Sequence, residues 1–318
     1  MSFFFKLQYD WQYKLNIFRL IVFYIGAASN LLLGFIVAWK PFNSKSFQAL
    51  ILGQFLFDFL VCLVAVFYCH FEYTLVATVN NRSFLSCVVW LDNLLFLIPL
   101  VISALNIIFL SLDRVIAVYL PSYYISHIPL RVTLSYIANV AICVSLCFPS
   151  CFLVQLDYPL CTVYYSKFSF DLYQFTIIYP YMWVIVTFVI PMLVFTGTYA
   201  AIYIRLHRHS HGPSMSLNPA TSTKRIGLRL TVVTFAMTLV TVLCMAPDNL
   251  YYLLGNAFDF GYSQGTPVQM FTAFLMTLNS CVKPWIFIAF QPHIRRYLCQ
   301  LTTILSNKKT ELSTSSAS

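Results

Sequence analysis

The sequence predicts an all-α membrane protein, a bundle of seven transmembrane helices followed by a short amphipathic eighth helix. The first observation is composition: the 318 residues are 60% hydrophobic and only 9% charged, whereas soluble chains carry about a quarter charged residues. The second is that seven apolar runs are each long enough to cross a bilayer, which takes roughly 20 residues. The third is that the connecting segments are too short to hold a soluble domain.

The spans follow one another along the chain and divide it into three parts. We expect an extracellular N-terminus at residues 1–16, a seven-helix domain at residues 17–290, and a cytoplasmic tail at residues 291–318. The tail begins with Gln291–Leu298, whose mixed polar and apolar residues predict a helix lying along the inner membrane face. The predicted spans are Ile17–Trp39, Phe47–Tyr68, Val88–Val115, Val132–Val154, Tyr179–Leu206, Leu228–Leu254 and Val268–Phe290.

The basic residues predict that the N-terminus lies outside the cell. Lys and Arg collect on the cytoplasmic side of membrane helices, and this orientation places most of the 19 Lys and Arg residues inside. Lys6, Lys14 and Arg19 oppose it, but the later loops outweigh them. The net charge of +9 therefore reflects orientation, and we expect the lipid bilayer as a partner and no nucleic acid. Asn81-Arg82-Ser83 then lies in the first outer loop, as a glycosylation site or a chance tripeptide.

Two cysteines at outer positions, Cys87 and Cys161, lie where disulfides persist. The second outer loop, Gln155–Ile178, carries β-branched and aromatic residues that predict a hairpin. A disulfide from Cys161 to Cys87 would hold this hairpin over the mouth of the bundle, and Cys69 is the alternative partner. The ten cysteines include no CxxC pair and no His/Cys cluster with metal-ligand spacing. We therefore expect no metal site and no cofactor.

Two ionic features interrupt the apolar background. Asp113 and Arg114 are adjacent at the inner end of the third span, where opposite charges are tolerated if they reach water or pair with each other. Lys283 lies inside the seventh span, at a cost of roughly 2.5–3.5 kcal/mol. We therefore expect Lys283 to have a partner.

Six of the seven spans each carry a short polar or proline-containing motif. The motifs are Asn30 on the first span, Leu56-Phe57-Asp58 on the second, Ser103 with Asp113-Arg114-Val115 on the third, Pro191 with Tyr199 on the fifth, Cys244-Met245-Ala246-Pro247 on the sixth, and Asn279-Ser280-Cys281-Val282-Lys283-Pro284-Trp285-Ile286-Phe287 on the seventh. Each is weakly specific alone. In this order they resemble the rhodopsin-like (class A) G protein-coupled receptors, closest to invertebrate peptide receptors, over the whole seven-span region.

The chain departs from this family's pattern in its switch motifs. Met245 stands where a tryptophan is usual, and Phe287 lacks the hydroxyl of the usual tyrosine. Thr277 stands at the position of the retinal-binding lysine, which argues against an opsin. These departures concern activation and leave the predicted fold unchanged.

The resemblance implies how Arg114 would work. Asp113 would hold it at rest, and Arg114 would turn toward Tyr199 and a cytoplasmic partner when the inner ends of the fifth and sixth helices separate. The proline kink of the sixth helix would supply that motion. The alternative is that Arg114 is only an anchor at the membrane interface. The expected coupling and activation residues are Asp113, Arg114, Tyr199, Met245, Pro247, Pro284 and Phe287.

The resemblance also implies a polar cluster in the middle of the bundle, where a sodium ion often lies in this family. We expect the ammonium of Lys283 to take the place of the ion and to pair with Asp58. The alternative is that Lys283 turns toward the inner, water-filled crevice. The predicted core polar cluster is Asn30, Asp58, Ser103, Asn279 and Lys283.

The outer half of the bundle offers the candidate ligand-binding residues. Phe96 stands where amine receptors need an aspartate and Asp92 lies one turn higher, which weakens an amine assignment. Asp248 faces the pocket by analogy with the family, and an acid there needs a cationic ligand group or a buried partner. The predicted set is Asp92, Phe96, Trp183, Asp248, Asn249, Tyr252 and Gln269.

We therefore predict a non-enzymatic receptor in the plasma membrane that binds an extracellular ligand, with a neuropeptide favoured, and activates a heterotrimeric G protein. One alternative is an odorant or small-molecule chemoreceptor of the same fold. Another is an ion transporter or channel that uses Asp58 and Lys283, but the sequence lacks the internal repeats of such proteins.

Overall fold

The computed structural model is a bundle of long helices, and it describes residues 2–40, 44–77, 94–149, 154–157, 160–163, 178–210, 220–258, 266–300 and 303. The helices in the first half of the chain are α1 (Ser2–Trp39), α2 (Lys45–Ala77), α3 (Leu94–Tyr119), α4 (Pro121–Ser126) and α5 (Ile128–Cys147). In the second half they are α6 (178–210), α7 (Ala220–Phe258), α8 (Pro267–Phe290) and α9 (292–300).

Seven helices in the described part of the chain are long and apolar enough to cross a membrane, which confirms the predicted seven-span bundle. The crossing segments are Lys14–Trp39 in α1, Lys45–His70 in α2, Leu94–Tyr119 in α3, Ile128–Cys147 in α5, Ile178–Arg205 in α6, Gly227–Gly255 in α7 and Pro267–Phe290 in α8.

The fourth span is shorter than the sequence predicted. Helix α5 ends at Cys147, whereas the apolar run extends to Val154, which belongs to a strand. Pro149 explains the difference, because proline lacks the N–H that a helix interior needs and its ring clashes with the preceding turn. A prediction from hydropathy continues through the apolar run past this proline, and it therefore overestimates the length of the helix.

Helix α3 lies at the centre of the bundle and packs against α2, α5, α6 and α7. Large apolar side chains such as Phe35 and Leu193, 64% and 66% exposed, point outward to where lipid surrounds the helices. Polar side chains turn inward instead, because lipid cannot satisfy their hydrogen bonds. The interior of the bundle therefore carries the polar residues on which the candidate site is built.

Two features of the helices shape the interior. Helices α3, α7 and α8 contain Pro99, Pro247 and Pro284, respectively, each of which removes a backbone hydrogen bond. Helix α6 contains a π-helical segment at Ile185–Val189, and single π-turns of this kind are frequent at functional sites.

The second outer loop contains the predicted hairpin. Strands β1 (Val154–Asp157) and β2 (Leu160–Val163) pair antiparallel, with Leu156 opposite Cys161. The side chain of Cys161 and the whole of Cys87 lie outside the described residues, so their disulfide stays a prediction. Asn81 and Asp92 lie outside them as well.

Helix α9 is amphipathic and lies against the inner end of the bundle. Ile294 is buried in an apolar cluster with residues of α1, α2 and α8, while Arg295 and Arg296 are exposed. The Lys40 ammonium, at the end of α1, lies 4.4 Å from the centre of the Tyr297 ring. This agrees with the eighth helix that the sequence predicted.

Candidate functional site

Asp113 is the centre of a closed polar cluster at the inner end of α3. Its carboxylate is only 5% exposed and is bound on both oxygens. Oδ2 accepts hydrogen bonds from Arg114 and from the Tyr124 hydroxyl (3.0 Å). Oδ1 accepts from the Ser46 hydroxyl at 2.7 Å and from Arg131 at 3.0 Å. Four side chains from α2, α3, α4 and α5 therefore converge on one acid.

Arg114 is held inside this cluster. It is 3% exposed, and besides Asp113 it donates to the Tyr124 hydroxyl at 2.6 Å. The face of its guanidinium lies 4.8 Å from the centre of the Phe47 ring. The structure therefore brings Asp113 and Arg114 together as expected. Sequence reasoning missed Ser46, Tyr124 and Arg131 as members of the cluster.

Tyr199 lies near Arg114 but does not hydrogen-bond to it. Its hydroxyl is 3.5 Å from the hydroxyl of Ser111, three residues before Arg114, and Ser111 also contacts Thr238 of α7 at 3.0 Å. The Tyr199 ring packs edge-on against Phe235 with centroids 4.8 Å apart. These contacts join the inner halves of α3, α6 and α7, so a separation of α6 and α7 from α3 would break them.

The other expected activation residues lie in the apolar interior. Met245 packs with Leu100 of α3 and Met276 of α8, two residues before Pro247 in α7. Phe287 is fully buried three residues after Pro284, and its ring lies edge-on to Phe55 at 5.2 Å.

A second polar cluster lies in the middle of the bundle, around Asp58 of α2. Lys283 Nζ is 3.0 Å from Asp58 Oδ1 and 3.0 Å from the Ser103 hydroxyl, and the side chains of Asp58 and Lys283 are 0% exposed. Asp58 also accepts hydrogen bonds from Ser103 at 2.6 Å, Ser280 at 2.7 Å and Gln54 at 3.0 Å. The carboxylate thus has one cation and three neutral donors, which is the pairing a fully buried charge requires.

The cluster differs in extent from the predicted one. Asn30 reaches it indirectly, by donating to the Ser280 carbonyl at 3.0 Å. Asn279 points instead toward α7, where its carbonyl accepts from the Thr241 hydroxyl at 2.9 Å. Gln54, Ser280 and Asn106 were missed; Asn106 donates to Gln54 at 2.9 Å. Polar residues inside apolar spans are the sequence signal that could have identified them.

The predicted ligand-binding residues that the structure describes make several different contacts. Asp248 Oδ1 accepts a hydrogen bond of 2.6 Å from the Thr272 hydroxyl of α8. Asn249 is 3% exposed and accepts from the Thr187 hydroxyl at 2.9 Å, so it ties α7 to the π-helical segment of α6.

The remaining ligand candidates contact different parts of the outer half. Phe96 packs against Tyr68, with ring centroids 6.5 Å apart, and Trp183 packs against the apolar cluster of α3 and α5. Tyr252 and Gln269 are half-buried at the outer ends of α7 and α8.

A small cavity lies between α3, α6 and α7, beside Met245. Its lining is apolar apart from threonine hydroxyls and carries no charged side chain. The lining residues are Ala104, Ile107, Ile108, Thr187, Phe188, Pro191, Thr238, Thr241, Val242 and Met245. The volume of the cavity is about 10 Å³, which is room for about one water molecule.

Comparison with known proteins agrees with this architecture. The family model described as "7 transmembrane receptor (rhodopsin family)" matches residues 29–287, which include both polar clusters. No curated protein matches the chain.

Proposed function

Because the chain belongs to the rhodopsin family of seven-transmembrane receptors, we propose that it recognises a peptide with a basic group and passes this signal to a heterotrimeric G protein through Arg114. Membership makes the chain a multi-pass receptor of the plasma membrane rather than an enzyme, with an extracellular ligand and a G protein as partners. The kind of ligand and the residues that act are the proposal. The likeness to invertebrate peptide receptors stays a prediction.

The cluster around Asp113 is the observation that carries the coupling proposal. Arg114 is buried and bound by Asp113 and Tyr124, so a cytoplasmic partner cannot reach its guanidinium in this arrangement. Breaking the contact between Ser111 and Thr238 would let α7 move outward and would open a path for Arg114 toward Tyr199. The arrangement is therefore that of a resting receptor, and ligand binding would favour the opened one.

The cluster around Asp58 supports the proposal that this receptor carries its own cation in place of sodium. The Lys283 ammonium contacts Asp58 and Ser103. A sodium ion at the same place would be repelled by the positive charge of Lys283. We therefore expect the resting state to be stabilised without added sodium. The same geometry weakens the transporter or channel alternative, since the charge is fully buried and bound.

Asp248 supports a ligand with a basic group. Among the described residues, its carboxylate has one hydrogen-bond donor, Thr272. No Lys, Arg or His in the described part of the chain lies within ion-pair distance of it. A half-buried carboxylate has unused acceptor capacity, and a ligand cation would satisfy it.

A second candidate function is recognition of a small uncharged molecule. The departures at Met245 and Phe287 fit this alternative. The cavity beside Met245 is lined without charge, but at about 10 Å³ it would have to widen to admit a ligand. In this case the receptor would be an odorant or small-molecule chemoreceptor, and Asp248 would have no direct role.

A library screen would separate the two candidates. Cells expressing the receptor with a promiscuous G protein would be exposed to a neuropeptide library and to a library of small apolar molecules. We expect responses to peptides with a free amine, Lys or Arg. The responses should be weaker when the amine or Lys is acetylated, or when Arg is replaced by uncharged citrulline. A charged hydrogen bond contributes about 1.5–3 kcal/mol, so Asp248→Asn should lower peptide potency about tenfold or more.

Asp248→Glu is the matched control, because it keeps the charge and should retain most of the response. Equal potency at wild type and Asp248→Asn would exclude the acid as a ligand contact. Responses confined to small apolar molecules would establish the chemoreceptor function instead.

A further inference from the structure

Asp113 binds a second guanidinium in addition to that of Arg114. Arg131, in the first turn of α5, places Nη1 3.0 Å from Asp113 Oδ1, whereas Arg114 binds Oδ2. The two arginines therefore occupy different oxygens of one carboxylate. Both are almost completely buried, Arg131 with 8% of its side chain exposed and Arg114 with 4%.

Arg131 is fixed independently of Arg114. Its Nη2 donates to the Tyr124 carbonyl at 2.9 Å, and its guanidinium lies 4.0 Å from the centre of the Tyr124 ring. These contacts tie α5 to α4 and involve neither α6 nor α7. Outward motion of α7 would therefore leave Arg131 in place.

We propose that Arg131 is a positioning residue that keeps Asp113 paired and charged when Arg114 turns away during activation. The inference rests on the proposed role of Arg114. Without Arg131, departure of Arg114 would leave a buried carboxylate without a cation, and the carboxylate would then take up a proton instead of remaining charged. With Arg131 on Oδ1, activation needs no such proton.

The groups that face Asp113 in the described residues come from four helices. They are Arg114 on α3, Arg131 on α5, the Tyr124 hydroxyl on α4 and the uncharged Ser46 hydroxyl on α2. Once Arg114 leaves, Arg131 is the one cation that remains in contact. The role of Arg131 is therefore testable through the response of signalling to pH.

The experiment measures the rate of nucleotide exchange by a purified G protein in the presence of the Arg131→Gln receptor in nanodiscs. The rate is measured from about pH 6 to about pH 8 and compared with the rate for the wild-type receptor. In this variant the active state binds one more proton than the resting state, so acid favours activation. The exchange rate divided by that of wild type should fall below one at high pH. The ratio should rise toward acid, by at most about tenfold per pH unit for one linked proton. Division by wild type removes the pH dependence of the G protein itself.

Three further variants make the result specific. Arg131→Lys keeps the cation and should give a flat ratio. The double variant Arg131→Gln with Asp113→Asn has no carboxylate to titrate and should also be flat. Arg205→Gln removes another inner arginine, one that lies over the Tyr119 ring at 4.6 Å, and should show no acid dependence.

A flat ratio for Arg131→Gln would overturn the proposal, since a purely structural role lowers exchange equally at every pH. If Arg131→Gln does not fold, the lysine variant decides, because an acid-dependent ratio in a receptor that keeps this cation would also overturn it. Failure of the coupling proposal is seen separately: Arg114→Gln would then retain exchange, whatever Arg131→Gln does.

Discussion

Removing the charge of Asp58 should destabilise the receptor strongly, because it leaves Lys283 buried without its carboxylate. Lys283 is 0% exposed, and Asp58 is the one acid that pairs with it in the described residues. Losing one partner of a buried ion pair costs roughly 3–5 kcal/mol. Asp58→Asn should fall near the lower value, since Ser103 still accepts from the ammonium at 3.0 Å. At about 2 °C per kcal/mol for a chain of this size, the lower value corresponds to a fall of roughly 6 °C in the unfolding midpoint.

The receptor carries its own reporters for this measurement. Cys62, Cys143 and Cys281 are buried free thiols, so a thiol-reactive dye reports unfolding of detergent-purified protein. The double variant Asp58→Asn with Lys283→Asn removes both charges and should recover most of the midpoint. A single Asp58→Asn variant that unfolds at the wild-type temperature would show that Lys283 does not depend on this acid.

The remaining predictions use the same unfolding assay. Gly26→Ala should lower the midpoint because its Cβ would overlap Cys281 Sγ, whereas in Gly34→Ala the nearest atom is an ordinary 3.9 Å away; equal midpoints for the two variants would contradict this packing. Arg19→Met should raise the stability by about 1–3 kcal/mol, because Arg19 Nε and Nη1 are buried and have no hydrogen-bond partner among the described residues; a lower midpoint would show that the guanidinium is satisfied. In the Lys283→Asn variant the unfolding midpoint should rise with sodium chloride but not with choline chloride, whereas the wild-type midpoint should respond to neither salt. A wild-type midpoint that rises with sodium chloride would contradict the proposal that the Lys283 ammonium occupies the place of the ion.

The spans could be predicted because the bilayer imposes a single requirement of length and apolarity on each of them. Length and apolarity do not indicate where a helix ends inside an apolar run. The end of the fourth span was therefore predicted at Val154 instead of Cys147. The cost of a buried ammonium indicated that Lys283 needs a partner, and the resemblance to the receptor family indicated Asp58, with which it pairs in the structure.

The surroundings of the two acids could not be predicted in the same way. Gln54 and Ser280 bind Asp58, but neutral polar residues in a span give no periodic signal that selects a partner. Tyr124 and Arg131 reach Asp113 because the chain turns back after Leu120, and that reversal is a tertiary feature. The sequence therefore indicates which charges need partners but not which neutral groups complete each cluster.

We propose that Arg114 transmits the signal from the bundle to the G protein. The most direct measurement is constitutive nucleotide exchange by the G protein at high receptor density, compared between Arg114→Gln, Arg205→Gln and wild type at equal surface expression. Arg205 is the control because it lies at the inner end of α6 and donates to the Tyr119 carbonyl at 3.3 Å, outside the cluster around Asp113. We predict that exchange is lost in Arg114→Gln and kept in Arg205→Gln. Exchange at the wild-type rate in the Arg114→Gln receptor would show that Arg114 does not transmit the signal to the G protein.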